Sequence, residues 1–253
     1  MQTLKSERHG AVTLIELDRK VINPINLKMV KELSRAIGEV RNDPAVRGLV
    51  ITSSNEKFFS IGFDIPELFP LKKGEFLEFF RAFNALCTEL FTLPKPTVAA
   101  LTGHAVAGGC VLALCCDYRI MAEGKKSIGL NEIKLGVPVP FLPDCILRDV
   151  VGTRHARDIM ETGEFSAPDE ALRMGLIDQA VPVQQVVPES MSMCRKLGAE
   201  LSMAYALIKK NRTDPVVAEL HVHEEMHEKR FCECWYSEPA RARIEDAMGS
   251  FKK

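Results

Sequence analysis

Residues 103–117 run Gly-His-Ala-Val-Ala-Gly-Gly-Cys-Val-Leu-Ala-Leu-Cys-Cys-Asp. The pair Gly108-Gly109 stands between a strand-like run, Thr97 to Leu101, and an apolar helix-like run. A helix start leaves its first backbone N–H groups free, and the helix dipole makes them favour negative charge. Glycine lets a ligand approach that backbone closely. The arrangement suits an anion that forms during a reaction, such as a thioester enolate. A second glycine-containing loop, Phe58-Phe59-Ser60-Ile61-Gly62-Phe63-Asp64-Ile65, also follows a strand-like run. A third stretch, Ile128 to Gly136, sets Asn131 and Glu132 in an apolar frame. A carboxylate there is poorly hydrated, which raises its pKa and makes it a stronger base.

The elements that must position these groups are legible in the hydrophobic pattern. Val12 to Leu17 and Val46 to Thr52 read as buried strands, and Thr97 to Leu101 and Tyr118 to Ala122 as further strands. Asn26 is placed to cap a helix carrying Met29, Val30, Leu33, Ile37 and Val40 at helical spacing. Phe76 to Leu93 reads as a helix ended by Pro94 and Pro96. Helices are expected at 144–151, 154–162 and 168–174, then a strand over Leu176 to Val181. Alternating strand and helix runs over the first ~180 residues indicate an α/β class. Beyond about Pro188 the chain is charge-rich and helix-compatible, with breaks expected at Pro215 and Pro239. The division expected is therefore a core over 1–188 and a helical C-terminal region over 189–253, the latter suited to trimerisation.

Of 253 residues, 46% are hydrophobic and the net charge is −1. The near-neutral balance argues against a nucleic-acid or anionic membrane partner. No apolar run approaches the ~20 residues of a membrane span. Met1 to Gly10 lacks the apolar core of a secretion signal, and Phe251-Lys252-Lys253 is no evident address tag. Without a secretory segment, the eight cysteines read as reduced thiols in a cytoplasmic protein. His223 and His227, spaced like zinc ligands and followed by Cys232 and Cys234, sit among Glu224, Glu225, Glu228 and Lys229. That setting reads as a solvated helix face, so no metal is expected.

The ordered set Asn23-Pro24-Ile25-Asn26, Phe59-Ser60-x-Gly62-x-Asp64, Lys95-Pro96-Thr97-Val98-Ala99-Ala100, Gly103-x4-Gly108-Gly109, Cys116-Asp117-Tyr118-Arg119-Ile120, Leu135-Gly136 and Ala171-x3-Gly175-Leu176-Ile177-Asp178 resembles the crotonase (enoyl-CoA hydratase/isomerase) superfamily. The resemblance covers about residues 10–182 well and the helical tail loosely. It implies a spiral of ββα units with a helical C-terminal region, assembled as a trimer or a dimer of trimers. It implies an acyl-CoA substrate, with coenzyme A as part of that substrate and no separate cofactor. Two backbone N–H groups would hold the thioester oxygen, and they map onto Ile61 and Gly108. Gly62, Phe63, Asp64, Ile65, Gly109, Asn131 and Phe141 map around the substrate.

The departures from the pattern narrow the chemistry. Hydratases of this family carry two glutamates that hold and activate water. The first falls here on Val111, the second on Asn131 or its neighbour Glu132, and an apolar Val137-Pro138-Val139-Pro140-Phe141 replaces a glycine-rich stretch. One carboxylate suffices to move a double bond instead. The run from Ala107 to Ile120, followed by Leu130-Asn131-Glu132 and Pro140-Phe141, resembles the mitochondrial-type Δ3,Δ2-enoyl-CoA isomerases, in which the Glu of Leu-Asn-Glu is the base. The expected activity is an enoyl-CoA isomerase with Glu132 as base and little hydratase activity. The alternatives are enoyl-CoA hydration, thioester hydrolysis, or a non-catalytic CoA- or RNA-binding homologue. Asp64 reads as a loop brace and His104 as structural. Phe63 and Phe141 suit core and pocket wall equally, and Lys5, Lys72, Lys73, Lys209 and Lys210 are candidates for the CoA phosphates.

Overall fold

In a computed structural model, which describes residues 2–250, the chain begins with β1 (Leu4–His9) and β2 (Val12–Leu17), paired antiparallel, and enters α1 (Leu27–Asn42). Met1 and Phe251-Lys252-Lys253, read above for targeting signals, lie outside the described residues. A unit of long strand, short strand and helix then recurs. It comprises β3 (Gly48–Ser53), β4 (Phe58–Ser60), α2 (Ile65–Leu68) and α3 (Lys73–Phe91). Next come β5 (Thr97–Leu101), β6 (His104–Val106) and α4 (Gly108–Leu114). The last unit is β7 (Tyr118–Ala122), β8 (Ile128–Gly129), a 3-10 turn at Glu132–Leu135 and α5 (Phe141–Thr162). The chain finishes with α6 (Pro168–Met174), β9 (Gln179–Val181), α7 (Val183–Ala199), α8 (Met203–Trp235) and α9 (Glu238–Ser250).

The long strands form one sheet in the order β1-β2-β3-β5-β7-β9, parallel from β2 onward, and the short ones a parallel sheet β4-β6-β8. This is the α/β spiral of ββα units with a helical C-terminal region that the resemblance implies. Every residue of β3 is buried, because helices cover both faces of the large sheet. Val12, Val50, Val98 and Ile120 pack under Val186, Met191 and Cys194 of α7. Ile15, Leu49, Ile51, Ala99 and Met121 face the main core with α1, α3 and α4. The expected cap is present: Asn26 Oδ1 accepts from Met29 N–H at 3.0 Å.

Several expectations are corrected. The helices expected at 144–151 and 154–162 lie within α5, bent where Gly152 takes φ 76°, ψ 159°. The last strand begins at Gln179, because Leu176 and Ile177 N–H both close on Ala171 O at the end of α6. Pro215 does not break α8, which runs from Met203 to Trp235. The Asn211 carbonyl that a proline leaves unpaired belongs to an exposed residue, where an unpaired carbonyl costs little. Buried Lys209, Thr213 and Leu220 hold the helix on both sides of the proline. The break at Pro239 is real, since α8 and α9 part at residues 236–237. The division expected between 188 and 189 falls inside α7, which carries Pro188 and covers the large sheet.

Candidate active site

The two glycine loops and the Asn-Glu stretch meet because each follows a strand of the small sheet. β4 leads to residues 61–64, β6 to Ala107 and Gly108, and β8 to Asn131 and Glu132. Between them lies a cavity of about 540 Å³. Phe63, Phe83, Val111, Val137, Phe231 and Trp235 supply much of its apolar wall, and Glu132 opens onto it.

Glu132 is 8% exposed and stands at the first position of the 3-10 turn. Its Oε2 is buried with no hydrogen-bond partner. Burial pushes its pKa up to about 7, against the pull of its own and Asn131's backbone N–H groups. Val111, where a second carboxylate was considered, is a buried valine on the same wall. The other carboxylate among the described lining residues, Asp64, is engaged. Arg19 Nη1 donates to its Oδ2 at 2.6 Å, and Glu67 N–H to its Oδ1 at 3.3 Å. Asp64 thus braces the loop and caps α2.

Gly108 N–H begins α4 and has no acceptor among the described residues. Ala107 before it is held at φ 48°, ψ −126°, a conformation costly for a residue with a Cβ. The turn is fixed by Ala107 N–H donating to Gly129 O at 2.9 Å. Ile61 requires a correction: its N–H donates to Ile22 O at 3.0 Å, so it is not free for an oxyanion. Phe63 N–H in that loop has no acceptor among the described residues. Ile25 N–H donates to Gly62 O at 2.7 Å and Asp64 N–H to Ile25 O at 2.8 Å. In such a parallel bridge the intervening residue turns its own N–H to the opposite edge. A Cβ on Gly62 would stand 2.7 Å from Gly108 N, so the two loops touch at this point.

The remaining site residues divide. Phe63, Ile65 and Asn131 line the cavity, as do Ile61 and Gly108. Gly62 and Gly109 do not line it and act through close packing. A Cβ on Gly109 would meet Ser60 O at 2.3 Å. Phe141 is also off the wall. Its ring stacks on His227 at 4.0 Å, and the neighbouring Pro140 takes the wall position. His104 lines the cavity beside Phe58, and burial, with Lys126 and Lys57 nearby, pushes its pKa down. Lys209 is no phosphate ligand: its Nζ is buried against Asp117 Oδ2 at 2.7 Å. Lys5 and Lys210 pair with Asp18 and Asp214, whereas Lys20 does reach the cavity. The aromatic residues of α3 and α8 on the wall were missed as site residues. The signal was the stripe Phe76, Phe79, Phe80, Phe83 at helical spacing, and Phe231 with Trp235 at i, i+4.

Over residues 7–249 the chain matches the protein family described as Enoyl-CoA hydratase/isomerase. It is 33% identical over 194 residues to Enoyl-CoA delta isomerase 1, mitochondrial, of Mus musculus, covering 76% of this chain and 67% of that protein. It is 30% identical over 246 residues to the Short-chain-enoyl-CoA hydratase of Clostridium acetobutylicum, covering 97% and 92%. The crystal structure of human mitochondrial delta3-delta2-enoyl-CoA isomerase superposes with a TM-score of 0.96 at 27% identity, covering 99% of this chain and 98% of that one. A family match across nearly the whole chain, carried by a shared fold, means that this chain belongs to the enoyl-CoA hydratase/isomerase family.

Proposed function

We propose that the protein is an acyl-CoA isomerase that moves a 3-enoyl-CoA double bond to the 2-position. The observation that carries this reading is Glu132, whose Oε2 has no partner among the described residues, buried in an apolar cavity with Val111 on the same wall. Hydrogens on C2 of a 3-enoyl thioester are acidic because the carbanion delocalises onto the thioester oxygen. Glu132 removes one of them, and the Phe63 and Gly108 N–H groups hold the oxygen as charge develops. By analogy with other oxyanion holes, each donor contributes about 2.7–4 kcal/mol to the transition state. The carboxylic acid so formed returns the proton to C4, and the double bond shifts from C3–C4 to C2–C3. No water is consumed, and the chemistry needs no cofactor beyond the CoA that the substrate carries.

The test is an assay with a trans-3-enoyl-CoA, following the conjugated thioester, beside a hydration assay with a trans-2-enoyl-CoA. Isomerisation well ahead of hydration is the expected result. Hydration ahead of isomerisation, with solvent oxygen in the product, would replace this reading with the hydratase one.

Self-association as a trimer or a dimer of trimers is part of the proposal. Its support is the exposure of four apolar side chains along α8, Met203, Leu207, Ile208 and Val222, at 81%, 50%, 70% and 74%. Replacing Leu207 and Ile208 with Glu is expected to yield monomers by light scattering, where the unaltered chain gives three or six copies. A reducing, cytoplasmic setting is proposed on the eight cysteines, all of them free thiols. No helix of the described residues is long and apolar enough to cross a membrane.

A further inference from the structure

We infer that Phe79 is a positioning residue that aims the Phe63 N–H at the thioester oxygen. The inference rests on the proposed reading of the Phe63 and Gly108 N–H groups as the oxyanion donors. The Phe63 ring is held edge-on by two rings of α3: Phe79 at 4.9 Å and 82°, and Phe83 at 4.9 Å and 90°. Both α3 rings are wholly buried. On its other side the Phe63 ring abuts the second donor, since a Cβ on Gly108 would lie 3.3 Å from Phe63 Cδ1. The backbone around Phe63 is pinned to residues 22–25 by the Ile61, Ile25 and Asp64 N–H bonds. One free N–H is thus fixed from behind by backbone pairing and from the side by three rings in contact. Edge-to-face pairs have a preferred geometry, so they hold the Phe63 side chain in place, fix its Cα–Cβ direction and thereby limit the φ rotation that would re-aim its N–H.

Phe83 also lines the cavity, so its loss would change pocket shape as well as donor geometry. Phe79 stands behind Phe63 and off the cavity wall. Substituting Phe79 therefore separates positioning from substrate packing.

The experiment uses Phe79→Leu, with Phe79→Met as the second variant if the first does not fold. Leu33→Ala, in the α1 core, serves as the destabilised control. Two quantities are read: kcat with KM on a trans-3-enoyl-CoA, and the absorption shift of bound trans-2,trans-4-hexadienoyl-CoA, which reports polarisation of the thioester. For the Phe79 variant kcat should fall about tenfold with KM nearly unchanged, because a slightly misplaced donor loses transition-state contact before it loses binding. The hexadienoyl shift should shrink in parallel, and Leu33→Ala should lose stability while keeping both values. A folded Phe79 variant with unaltered kcat and an undiminished shift overturns the positioning role. If the unaltered protein binds hexadienoyl-CoA with no shift, the oxyanion reading itself fails, and the two failures are thereby told apart.

Discussion

Glu132→Gln is expected to lower isomerase turnover by about 10³-fold while leaving acyl-CoA binding largely intact, because it removes the base and keeps the shape. The same substitution is expected to stabilise the fold at pH 8. In the folded protein burial raises the Glu132 pKa from the ordinary glutamate value of 4.5 to about 7. The folded state therefore binds a proton that the unfolded chain has already released between those values. Stability linked to this group is fully present below pH 4.5, falls as pH rises through 7, and is lost above. The difference amounts to about 3 kcal/mol at pH 8. Thermal melts at pH 5 and pH 8 check this: the variant should gain on the unaltered protein at the higher pH and show little gain at the lower. Activity has the opposite slope. The carboxylate form is the base, so kcat/KM should climb through pH 7 to a plateau. A variant that keeps full turnover would remove Glu132 from the mechanism.

Asp117→Asn is expected to destabilise the protein by about 3–5 kcal/mol, which at this chain length lowers the melting temperature by about 10 °C. Asp117 joins the start of β7 to β5 and to α8. Its Oδ2 accepts from Thr97 N–H at 2.9 Å, Thr97 Oγ1 at 3.0 Å and Lys209 Nζ at 2.7 Å, while Arg212 donates to Oδ1. The Lys209 side chain is only 4% exposed, and burial pushes its pKa down. Neutralising Asp117 leaves that ammonium buried beside the Lys95 carbonyl, 3.0 Å away, with its carboxylate counter-charge replaced by a neutral amide. Differential scanning calorimetry measures the loss. The double variant Asp117→Asn, Lys209→Met should recover a good part of it, since the stranded charge is then gone. A single variant that melts with the unaltered protein would mean that the pair contributes nothing to docking α8.

The site and the anchor of α8 differ in how far they could be read from residue order. The strand cores, the cap at Asn26, the free donor at Gly108 and the buried carboxylate at Glu132 depend on local periodicity, on helix ends, or on a motif set in order. Those are properties of neighbouring residues, and the chain states them directly. Phe63 was placed at the site by the motif but as a side chain, and Ile61 was given the donor's role. Which of these two N–H groups, two residues apart, is free depends on pairing with Ile22 and Ile25, nearly 40 residues away in sequence. The strands β4, β6 and β8 are two or three residues long, too short to show a period of two, yet they bring the loops together.

The helical tail was legible as helix, and its roles were not. Phe231 and Trp235 form part of the cavity wall, and Lys209 buries its charge on Asp117 rather than offering it to a phosphate. Pro215 reads as a stop in one dimension, but tertiary contacts on both sides of it carry the helix through. By itself, then, the sequence determined the α/β spiral and the family, and it singled out Glu132 and Gly108 for the roles proposed here, because each is encoded in local spacing or in an ordered motif. Only the tertiary structure decided the second donor, the aromatic wall and the anchoring of α8. These arise from contacts between residues far apart in the chain, where packing and desolvation, and not local pattern, set which group is free, which is buried and which is paired.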